Sequence, residues 1–594
     1  MSRAAEFSES PLRRLSGRAG EWLERLVFSS ALYRVLLFGS TPASLLATPE
    51  GPAGDARAGA AILAGEWLLA GERLAAEDPF KRAPHPSATA SLAAASAKAP
   101  EGASPAAPEE ALGGASEPVL IVLHGFRWLA DLASVDSDAA RARARALIAS
   151  WIERYGEWSP LAWRADVLGR RLSAWLAFYP FFSTAADAAF RRRFLRSTAR
   201  QARHLGRLAR LGGRSLGPAG HGRLEALVAY VEAAACLPGG KDRLSKPVAR
   251  FLNELERQVL PDGGHYQRSP AVHLAVLDML VRLRATLVAG RHAVPPGLQA
   301  AIDRMAPMLR FFRHGDGRLA LFNHTTEESE VAIDAVLKRA DAPGKPPASA
   351  PHTGFQRLEA GASLALMDSG APPPPESEAY AHAGTLSFEL SYGKERVIVN
   401  CGARPYATGD WLTAQRASAA HSTLVLADTN SSDFLTPHGQ QTGRIGRRPR
   451  HVLARREEAD GAALVDASHD GYEPPFGVLH RRRLYLAADG DDLRGEDRLA
   501  RIRVAHAPLA FAVRFHLHPD VQASLMQDGK SALLRTASRI GFRLDAVGGR
   551  LVIAESIYLG AAGGSRRSEQ IVIESTLAGE EAVVKWSLKR LRGG

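Results

Sequence analysis

Apolar and polar positions recur with different periods in the two halves of the chain. Between Leu120 and Leu337, apolar residues return every three or four positions in eight consecutive segments, which is the spacing of amphipathic helices. After Thr353 the period becomes two, in short runs such as SALLRTA, RLVIAES and QIVIEST, which are typical of antiparallel strands. The pattern therefore predicts a helical domain followed by an antiparallel β-domain.

A further segment, which precedes the helical region, is distinguished by its composition. From Ala83 to Pro118 the chain is rich in Ala, Pro, Ser and Gly, and its only large apolar residues are Leu92 and Leu112. Such a segment buries too little surface to offset the entropy lost on ordering. We predict an N-terminal helical segment over 1–82, a disordered insertion over 83–118, a helical domain over 119–338, a linker over 339–352 and a β-domain over 353–594.

The N-terminal residues carry charge throughout and do not have the form of an export signal. The apolar stretch LVFSSALYRVLLF is interrupted by Arg34 and falls short of the roughly 20 residues of a membrane span, so no transmembrane segment is expected. Residues 21–38 instead predict an amphipathic helix, which either docks on the protein's own surface or contacts a membrane surface. The missing signal indicates a cytoplasmic location.

The formal net charge is +12 and favours anionic partners. Nine arginines fall between Arg191 and Arg214, and most recur at a spacing of three or four; they form either a solvated helix face or an anion-binding stripe. No nucleic-acid motif accompanies them, so no nucleic-acid partner is expected. The two cysteines, Cys236 and Cys401, lie in apolar or strand-like settings and predict buried free thiols.

Three potential metal ligands lie at the ends of predicted strands. They are His382 in AYAHAGTLSFEL, Asn400 in RVIVNCGARPY and His421 in SAAHSTLVL, and a sheet can bring them onto one face. Zinc takes His, Cys or carboxylate ligands, and a neutral amide oxygen is a poor third ligand. The sequence leaves two alternatives: a structural zinc site, or a hydrogen-bonded cluster without metal, which we favour. No cofactor is required by either.

The same runs, H-A-x-x-L-S-F, V-N-C-G and A-H-S-T, resemble the start of the C-terminal β-domain of heparinase II/III-like polysaccharide lyases. The resemblance implies a multidomain α and β fold, with an N-terminal incomplete (α/α) toroid followed by an antiparallel β-sandwich. It also implies β-elimination at a uronic-acid glycan, and therefore an acidic polysaccharide or oligosaccharide as partner. Many relatives are periplasmic, whereas this N-terminus indicates the cytoplasm.

Elimination needs a base, a group that neutralises the uronate carboxylate, and an acid for the leaving oxygen. The family's tyrosine motif, D-G-x-x-x-x-R-S-P-x-Y-H, is matched from Asp262 to His273, but Val272 occupies the tyrosine position. The family's Asn-His pair aligns with His221 and Gly222. Two residues before His382 the family often has a second histidine, and this chain has Tyr380 there. We predict that the Tyr380 phenol takes the role of the family's catalytic tyrosine, which is missing at Val272.

The resemblance therefore yields two sets of candidate site residues. The catalytic candidates are Tyr380, Tyr266, His221 and Tyr472, and the substrate-binding candidates are Arg223, Arg268, His273 and His469. Structural alternatives stay open for several of them: Tyr380 as a half-buried aromatic at the sheet rim, Arg223 as a solvated charge, and His469 and Tyr472 as parts of an Asp-Gly turn.

Two functions follow from these departures. In the first, the protein is a polysaccharide lyase-like protein that cleaves an acidic glycan by β-elimination. In the second, it is a glycan- or cell-envelope-binding protein that kept the fold and lost the catalytic groups. The appearance of unsaturated-uronate absorbance on incubation with uronate polysaccharides distinguishes them.

Overall fold

The computed structural model describes residues 24–82, 115–240, 242–435, 443–503, 507–561 and 564–591. The chain forms two compact units. Unit 1 comprises Met1–Leu255 and Met279–Gln299, and unit 2 comprises Glu256–Asp278 and Ala300–Gly594. The end of the Ser245–Gln258 helix, the first part of the Pro270–Ala289 helix and most of the Pro296–Phe311 helix thus group with the sheets, although their sequence pattern is that of the preceding helices.

Helices occupy most of the described chain before residue 341, and polar side chains cap several of them. Ser137 accepts a hydrogen bond from the Ala140 amide at 3.1 Å, and Asp187 accepts one from the Phe190 amide at 2.6 Å. The helices are Ala31–Leu36, Ala56–Leu63, Pro79–Arg82, Glu117–Gly125, Leu129–Val135, Asp138–Tyr155, Ala165–Ala177, Tyr179–Ser183, Ala188–Leu211, His221–Cys236, Ser245–Gln258, Pro270–Ala289, Pro296–Phe311 and Glu330–Ala340, with Gly409–Arg416 and Glu473–Phe476 later.

Two sequence predictions near the N-terminus need correction. The predicted helix over 21–38 lies partly outside the described residues, and the rest is two short helices, residues 24–29 and Ala31–Leu36, because Ser30 is extended and caps the second one. The predicted insertion over 83–118 lies outside the described residues as far as 114. Beyond that, the Ser116 hydroxyl donates to Glu72 at 2.5 Å and a helix begins at Glu117, so the insertion ends before these residues.

No single helix in the described ranges is long and apolar enough to cross a membrane; only a bent pair, Glu117–Gly125 and Leu129–Val135 at 53°, meets the criteria of length and composition.

A cluster of aromatic rings lies within the core of unit 1. Phe126 stacks on Phe80 with ring centroids 5.5 Å apart and meets the edge of Trp175 at 5.4 Å. Arg171 is fully buried among these rings, with its guanidinium 4.0 Å from the Trp151 centroid. This packing gives unit 1 a core of its own.

The strands of the chain follow the period-two pattern where it was clearest. The three runs quoted above are confirmed as strands β17, β19 and β20. In chain order the strands are β1 Glu66–Leu69, β2 Glu72–Ala75, β3 Ser349–Ala350, β4 Phe355–Ala360, β5 Ser363–Asp368, β6 Phe388–Tyr392, β7 Glu395–Val399, β8 Leu424–Leu426, β9 Asp433–Phe434, β10 Ile445–Arg447, β11 Val452–Ala459, β12 Ala462–His469, β13 Val478–Leu486, β14 Asp492–Arg501, β15 Leu509–Leu517, β16 Gln522–Leu525, β17 Ser531–Arg535, β18 Gly541–Val547, β19 Arg550–Tyr558, β20 Arg566–Leu577 and β21 Glu581–Leu591.

Two large antiparallel sheets of unit 2 share one hydrophobic core. Their strand orders are β11-β12-β13-β14-β21-β18-β17-β16 and β19-β20-β15-β7-β6-β5-β4-β3, with β8 paired to β15. Trp586 of the first sheet stacks on Phe388 of the second at 5.5 Å and meets Phe515 at 4.9 Å. Cys401 is buried and free, as is Cys236 of unit 1.

Candidate functional site

The three predicted metal ligands do come together in unit 2. His382 follows a short 3-10 turn, Asn400 directly follows β7, and His421 lies three residues before β8, and all three are buried. A side chain at Gly384 is excluded, because its Cβ would lie 2.7 Å from the His421 ring. The loops that precede β6 and β8 and the one that follows β7 therefore form a buried polar cluster.

The hydrogen bonds define the protons of the two imidazoles. His421 Nδ1 donates to the Ala417 carbonyl at 2.7 Å, so its Nε2 carries a lone pair. His382 Nδ1 lies 3.1 Å from that nitrogen and must donate to it. His382 Nε2 is then an unprotonated nitrogen, buried and with no hydrogen-bond partner. Burial lowers the pKa of His421 to about 4 and that of His382 well below its usual value, so both rings are neutral at pH 7.

Asn400 is not arranged as a metal ligand. Its side-chain oxygen accepts from the Ser422 amide at 3.0 Å, and its backbone amide donates to Glu389 at 2.8 Å. A metal held by both imidazoles would have to break the bond between His382 and His421, because the His421 Nε2 lone pair already accepts the His382 proton. No group of three His, Cys, Asp or Glu side chains suited to a metal occurs within the described residues. The donor set, two neutral nitrogens and an engaged amide, does not fit zinc.

A dipeptide that sequence reasoning missed lies beside this cluster. Asn323 and His324 are consecutive residues with left-handed backbone, at φ 46° and 60°. Asn323 Oδ1 accepts from the His382 amide at 3.0 Å, and the His324 ring lies 5.3 Å from Tyr380 and 5.9 Å from His382. Such backbone costs about 1–3 kcal/mol per residue and concentrates at functional sites. The signal available in the sequence was an Asn-His pair between the apolar run LALF and the next helix.

The nearest cation is Arg416, at the end of the Gly409–Arg416 helix. Its guanidinium is buried, donates to the carbonyls of Ala381, Glu378 and Gly443 at 2.8, 3.2 and 2.8 Å, and lies 3.8 Å from the Phe434 ring centroid. These hydrogen-bond partners are neutral carbonyls. Burial lowers the pKa of Arg416 to about 10, which still leaves it charged at pH 7.

The charge of Arg416 acts on the imidazoles. Burial, and then this charge, lower the pKa of half-buried His324 to about 4. His324 also contacts the Gln415 amide nitrogen at 3.2 Å. Together with the half-buried Tyr380, these groups present neutral nitrogens, an amide and a phenol close to the charges of Arg416, Arg448 and the buried Glu378 carboxylate, which sum to one positive charge.

Arg268 has a structural role, which corrects the prediction that it binds substrate. Its guanidinium donates to the carbonyls of Thr353, Ala371 and Gly354 at 2.7, 2.8 and 3.1 Å and forms a buried ion pair with Asp368. Each guanidinium nitrogen is therefore already engaged within the protein. The side chain ties the loop before the Pro270–Ala289 helix to the sheet.

His273 is likewise a buried structural residue. Its Nε2 lies 2.9 Å from the Met305 carbonyl, to which it donates, and burial lowers the pKa of the ring to about 4. One residue earlier, Val272 is an apolar side chain that is 7% exposed. Tyr266, the second phenol candidate, is half-buried and packs edge-on against His265 at 5.1 Å.

Tyr472 and His469 lie inside the unit and are corrected from site candidates to core residues. The Tyr472 ring is fully buried in the hydrophobic core, its hydroxyl donates to the Leu424 carbonyl at 2.9 Å, and burial raises its pKa. His469 Nδ1 accepts from the Gly471 amide at 3.0 Å, and its Nε2 lies 3.1 Å from His480. Neither side chain has a free group for a substrate.

The remaining two candidates belong to unit 1. His221 is the first residue of the His221–Cys236 helix and is half-buried, and Arg223 Nε makes a long contact of 3.4 Å to the Gly217 carbonyl. One turn on, Glu225 is buried and pairs with Arg170 at 2.7 Å and Arg127 at 3.0 Å. Burial alone would raise the pKa of Glu225, but the two guanidinium charges outweigh it and lower the pKa to about 2.

Comparison with known proteins identifies the family. Residues 122–341 match the heparinase II/III N-terminus, and residues 342–587 match the heparinase II/III-like C-terminal domain. The chain belongs to the heparinase II/III-like family. The two matches meet inside the predicted linker over 339–352, although the compact units divide elsewhere.

Relatives of this heparinase II/III-like protein fall into two kinds. "FtsZ-localized protein C" of Caulobacter vibrioides is 35% identical over 489 residues, which cover 80% of this chain and 82% of that protein. The crystal structure of heparinase III aligns with a TM-score of 0.65 at 13% identity, covering 81% of this chain and 78% of that one. A heparan sulfate lyase HepC mutant from Pedobacter heparinus aligns with a TM-score of 0.60 at 15% identity, covering 99% and 92%. At these identities the two structures show a shared fold.

Proposed function

We propose that this protein uses the heparinase II/III fold to bind an acidic, uronic-acid-containing glycan without cleaving it by the family's elimination chemistry. The observation that carries the proposal is Val272: an apolar, buried side chain occupies the position where the resembling family has its catalytic tyrosine. In this proposal the helical half has the family's incomplete (α/α) toroid and the two sheets form its β-sandwich.

The other departures point the same way. The family's Asn-His pair corresponds to His221 and Gly222, which together offer one imidazole and no amide. Elimination requires a base, a carboxylate-neutralising group and an acid in one constellation, and each family group for these tasks is replaced here.

Glycan binding is supported by the surroundings of Tyr380. The phenol and the His324 ring are half-buried and 5.3 Å apart, so both retain surface for a ligand. Two cations, Arg416 and Arg448, lie beside one carboxylate, Glu378, and the net positive charge favours an anionic ligand. The cluster of His382, Asn400 and His421 supports this rim as a metal-free, hydrogen-bonded structure.

A lyase activity is the second candidate, and one observation favours it. His382 Nε2 is unprotonated, unpartnered and part of the cluster that includes His324 and Tyr380. In a β-elimination a base takes the proton α to the uronate carboxyl group, the electrons form the unsaturated bond, and an acid protonates the departing glycosidic oxygen. Tyr380 is the first choice for acid or base, followed by Tyr266.

One assay separates the two candidates. The purified full chain is incubated with a panel of uronate polysaccharides, with binding followed by calorimetry and cleavage by unsaturated-uronate absorbance. We expect saturable binding and no rise in absorbance. Turnover on any uronate favours the lyase, and absence of binding to every glycan in the panel refutes the glycan proposal.

The 35% identical relative supports a second, cellular part of the proposal. Because that protein is named for localisation with FtsZ, we propose that this chain also localises with FtsZ, consistent with the predicted cytoplasmic location. A fluorescent fusion expressed at native level tests this by its overlap with FtsZ. A distribution independent of FtsZ contradicts the localisation and leaves glycan binding to be judged by the first assay.

A further inference from the structure

The N-terminal segment of unit 1 presents an apolar face to solvent. Nineteen large apolar side chains are exposed among the described residues, and six of them fall between residues 26 and 38. We call these six the N-terminal ridge; they are 46–72% exposed. The ridge consists of Leu26, Val27, Leu32, Val35, Leu36 and Phe38. A cluster of this kind marks a docking surface, whereas single exposed apolar residues do not.

The ridge is held in place from below. Phe28, Tyr33 and Leu37 are buried, and the Tyr33 hydroxyl is 2.6 Å from His204 Nδ1 on the Ala188–Leu211 helix. The Phe28 ring meets the same His204 edge-on at 5.3 Å. The exposed orientation of the ridge is therefore set by a packed underside.

Arginines of the same helix also fasten the ridge backbone. Arg207 donates to the Leu36 carbonyl at 2.5 Å, and Arg203 donates to the carbonyls of Leu37 and Ser40 at 2.8 and 3.4 Å. Part of the arginine stripe noted in the sequence therefore holds this segment in place through hydrogen bonds to its backbone. It also places the positive charges of Arg203 and Arg207 beside the ridge.

A basic cavity begins where the ridge ends. Ser40 and Pro42 form part of its wall, and its volume is about 390 Å³. Among the described residues that line it none is acidic, while five are basic: Arg203, Arg210, Arg243, Lys246 and Arg250. Ala199, Ala233 and Leu237 supply an apolar wall. Such a lining suits a ligand with an anionic head and an apolar neighbour.

Two details show that positive charge in this cavity is not compensated. Arg250 Nε is buried and has no hydrogen-bond partner. The pKa of Arg203 is lowered by burial and then by the like charges of Arg207 and Arg200. An anion in the cavity would relieve both conditions.

We propose that unit 1 docks on an anionic phospholipid surface, with the N-terminal ridge entering the boundary between headgroups and acyl chains and the basic cavity binding a lipid phosphate. Apolar side chains backed by arginines match the two attractions of such a surface, burial of apolar area and attraction to anionic headgroups. An apolar protein partner would not need the basic cavity.

Vesicle sedimentation of the full chain tests the proposal. We expect binding to vesicles of phosphatidylcholine mixed with phosphatidylglycerol and little binding to phosphatidylcholine alone. Leu32→Glu with Phe38→Glu should weaken binding by at least about 10-fold. Val331→Glu with Val547→Glu, which alters equally exposed residues of unit 2 by the same charge, should bind like the wild type.

A second pair of variants tests the cavity. Arg210→Gln with Lys246→Gln should weaken binding to the anionic vesicles by about 10-fold, because each surface cation adds to attraction by anionic lipid. Arg404→Gln with Lys345→Gln removes the same charges from exposed positions of unit 2 and should change binding by less than about 2-fold. All four substituted positions are exposed, and thermal melting checks that the variants fold.

Several results would overturn the proposal. One is failure of the wild type to bind anionic vesicles, and another is loss of binding by a control pair equal to that of its test pair. A wild-type dimer in sedimentation velocity that Leu32→Glu with Phe38→Glu dissolves, without vesicle binding, would assign the ridge to a second copy. If vesicle binding appears only when residues 1–23 are deleted, the occupant of the ridge in the full chain is that segment and not a lipid surface.

Discussion

Unit 2 contains two histidine pairs with nearly the same geometry and different surroundings. His469 and His480 are 3.1 Å apart between nitrogens with ring planes at 87°, and His382 and His421 are 3.1 Å apart with planes at 83°. The first pair continues to a carboxylate, since His480 Nε2 donates to Asp497 at 2.9 Å. The second pair ends at His382 Nε2, which has no partner.

The first pair lies in a network that gives each of its ring nitrogens a hydrogen-bond partner. Asp497 also accepts two bonds from Arg482, at 2.8 and 3.0 Å, and one from Trp586 at 3.2 Å. Arg482 in turn donates to the Ser422 carbonyl at 2.8 Å. Each nitrogen of Arg482 and of the two rings has a hydrogen-bond partner, so the network joins the two sheets and leaves no ring nitrogen for a ligand.

The second pair differs in its neighbours rather than in its own geometry. Asn400 stands at the position where the family's pattern has an aspartate, and Asn323 and His324 lie beside the pair with left-handed backbone. An open nitrogen, strained backbone and a half-buried phenol together distinguish a candidate site from a structural network. Buried histidines alone do not.

The largest expected effect is the loss of the carboxylate from the complete network. Asp497→Asn leaves the buried Arg482 and His480 without their anion and should destabilise unit 2 by about 3–5 kcal/mol. Thermal and denaturant melting measure this. Asp545→Asn, at a half-exposed pair with Arg543, is the matched control and should cost less than about 1 kcal/mol. An equal loss in both variants contradicts a structural role for the network.

Removing the second pair should also destabilise unit 2, since both rings are buried. His382→Ala with His421→Ala should lower the free energy of unfolding by about 2 kcal/mol or more, whereas His352→Ala, at an exposed position, should have little effect. An unchanged melting temperature in the double variant would refute the cluster.

The same pair predicts a pH dependence of stability. The folded-state pKa of His421 is about 4, below the usual value of 6.5, so the unfolded chain binds the proton more readily. This stability is fully present above pH 6.5 and is lost as the pH falls towards 4, on the order of 3 kcal/mol. Between these pH values, the melting temperature of the double variant should change less with pH than that of the wild type.

Completing the second pair with a carboxylate should create a metal site. Asn400→Asp restores a ligand of the kind zinc prefers, and we expect stoichiometric zinc by elemental analysis. Zinc at about 100 times its dissociation constant should then stabilise the variant by about 2.7 kcal/mol, and chelator should reverse this. Stoichiometric zinc in the untreated wild type would show instead that an amide suffices.

The smallest expected effect concerns the phenol. Tyr380→Phe keeps the ring and should weaken glycan binding by about 5-fold, the value of one hydrogen bond. Tyr406→Phe, at an exposed phenol of the same unit, should leave binding unchanged. If the wild type does cleave a uronate, turnover in Tyr380→Phe should fall by about 100-fold; retained turnover moves the acid or base to Tyr266.

The sequence predicted the elements wherever the hydrophobic period was regular. It did not predict that His469 and Tyr472 are core residues, because an Asp-Gly turn has the same spacing on a surface. Strand β14, DLRGEDRLAR, has the composition of a surface strand, yet its Asp497 is fully buried. Asp497 is buried because Arg482 and His480 of the paired strand bind it, and the local sequence around Asp497 does not indicate these partners.

By itself the sequence determined the order of helical and β regions, the family, and the approach of His382, Asn400 and His421. These follow from local periodicity and from motifs at strand ends. Only the tertiary structure decided which polar groups have hydrogen-bond partners within the protein. The Arg268 guanidinium donates to the carbonyls of Thr353 and Gly354, whereas His382 Nε2 has no partner. The physical reason is that a buried polar group takes its chemistry from partners distant in the chain, and residue spacing does not record those partners.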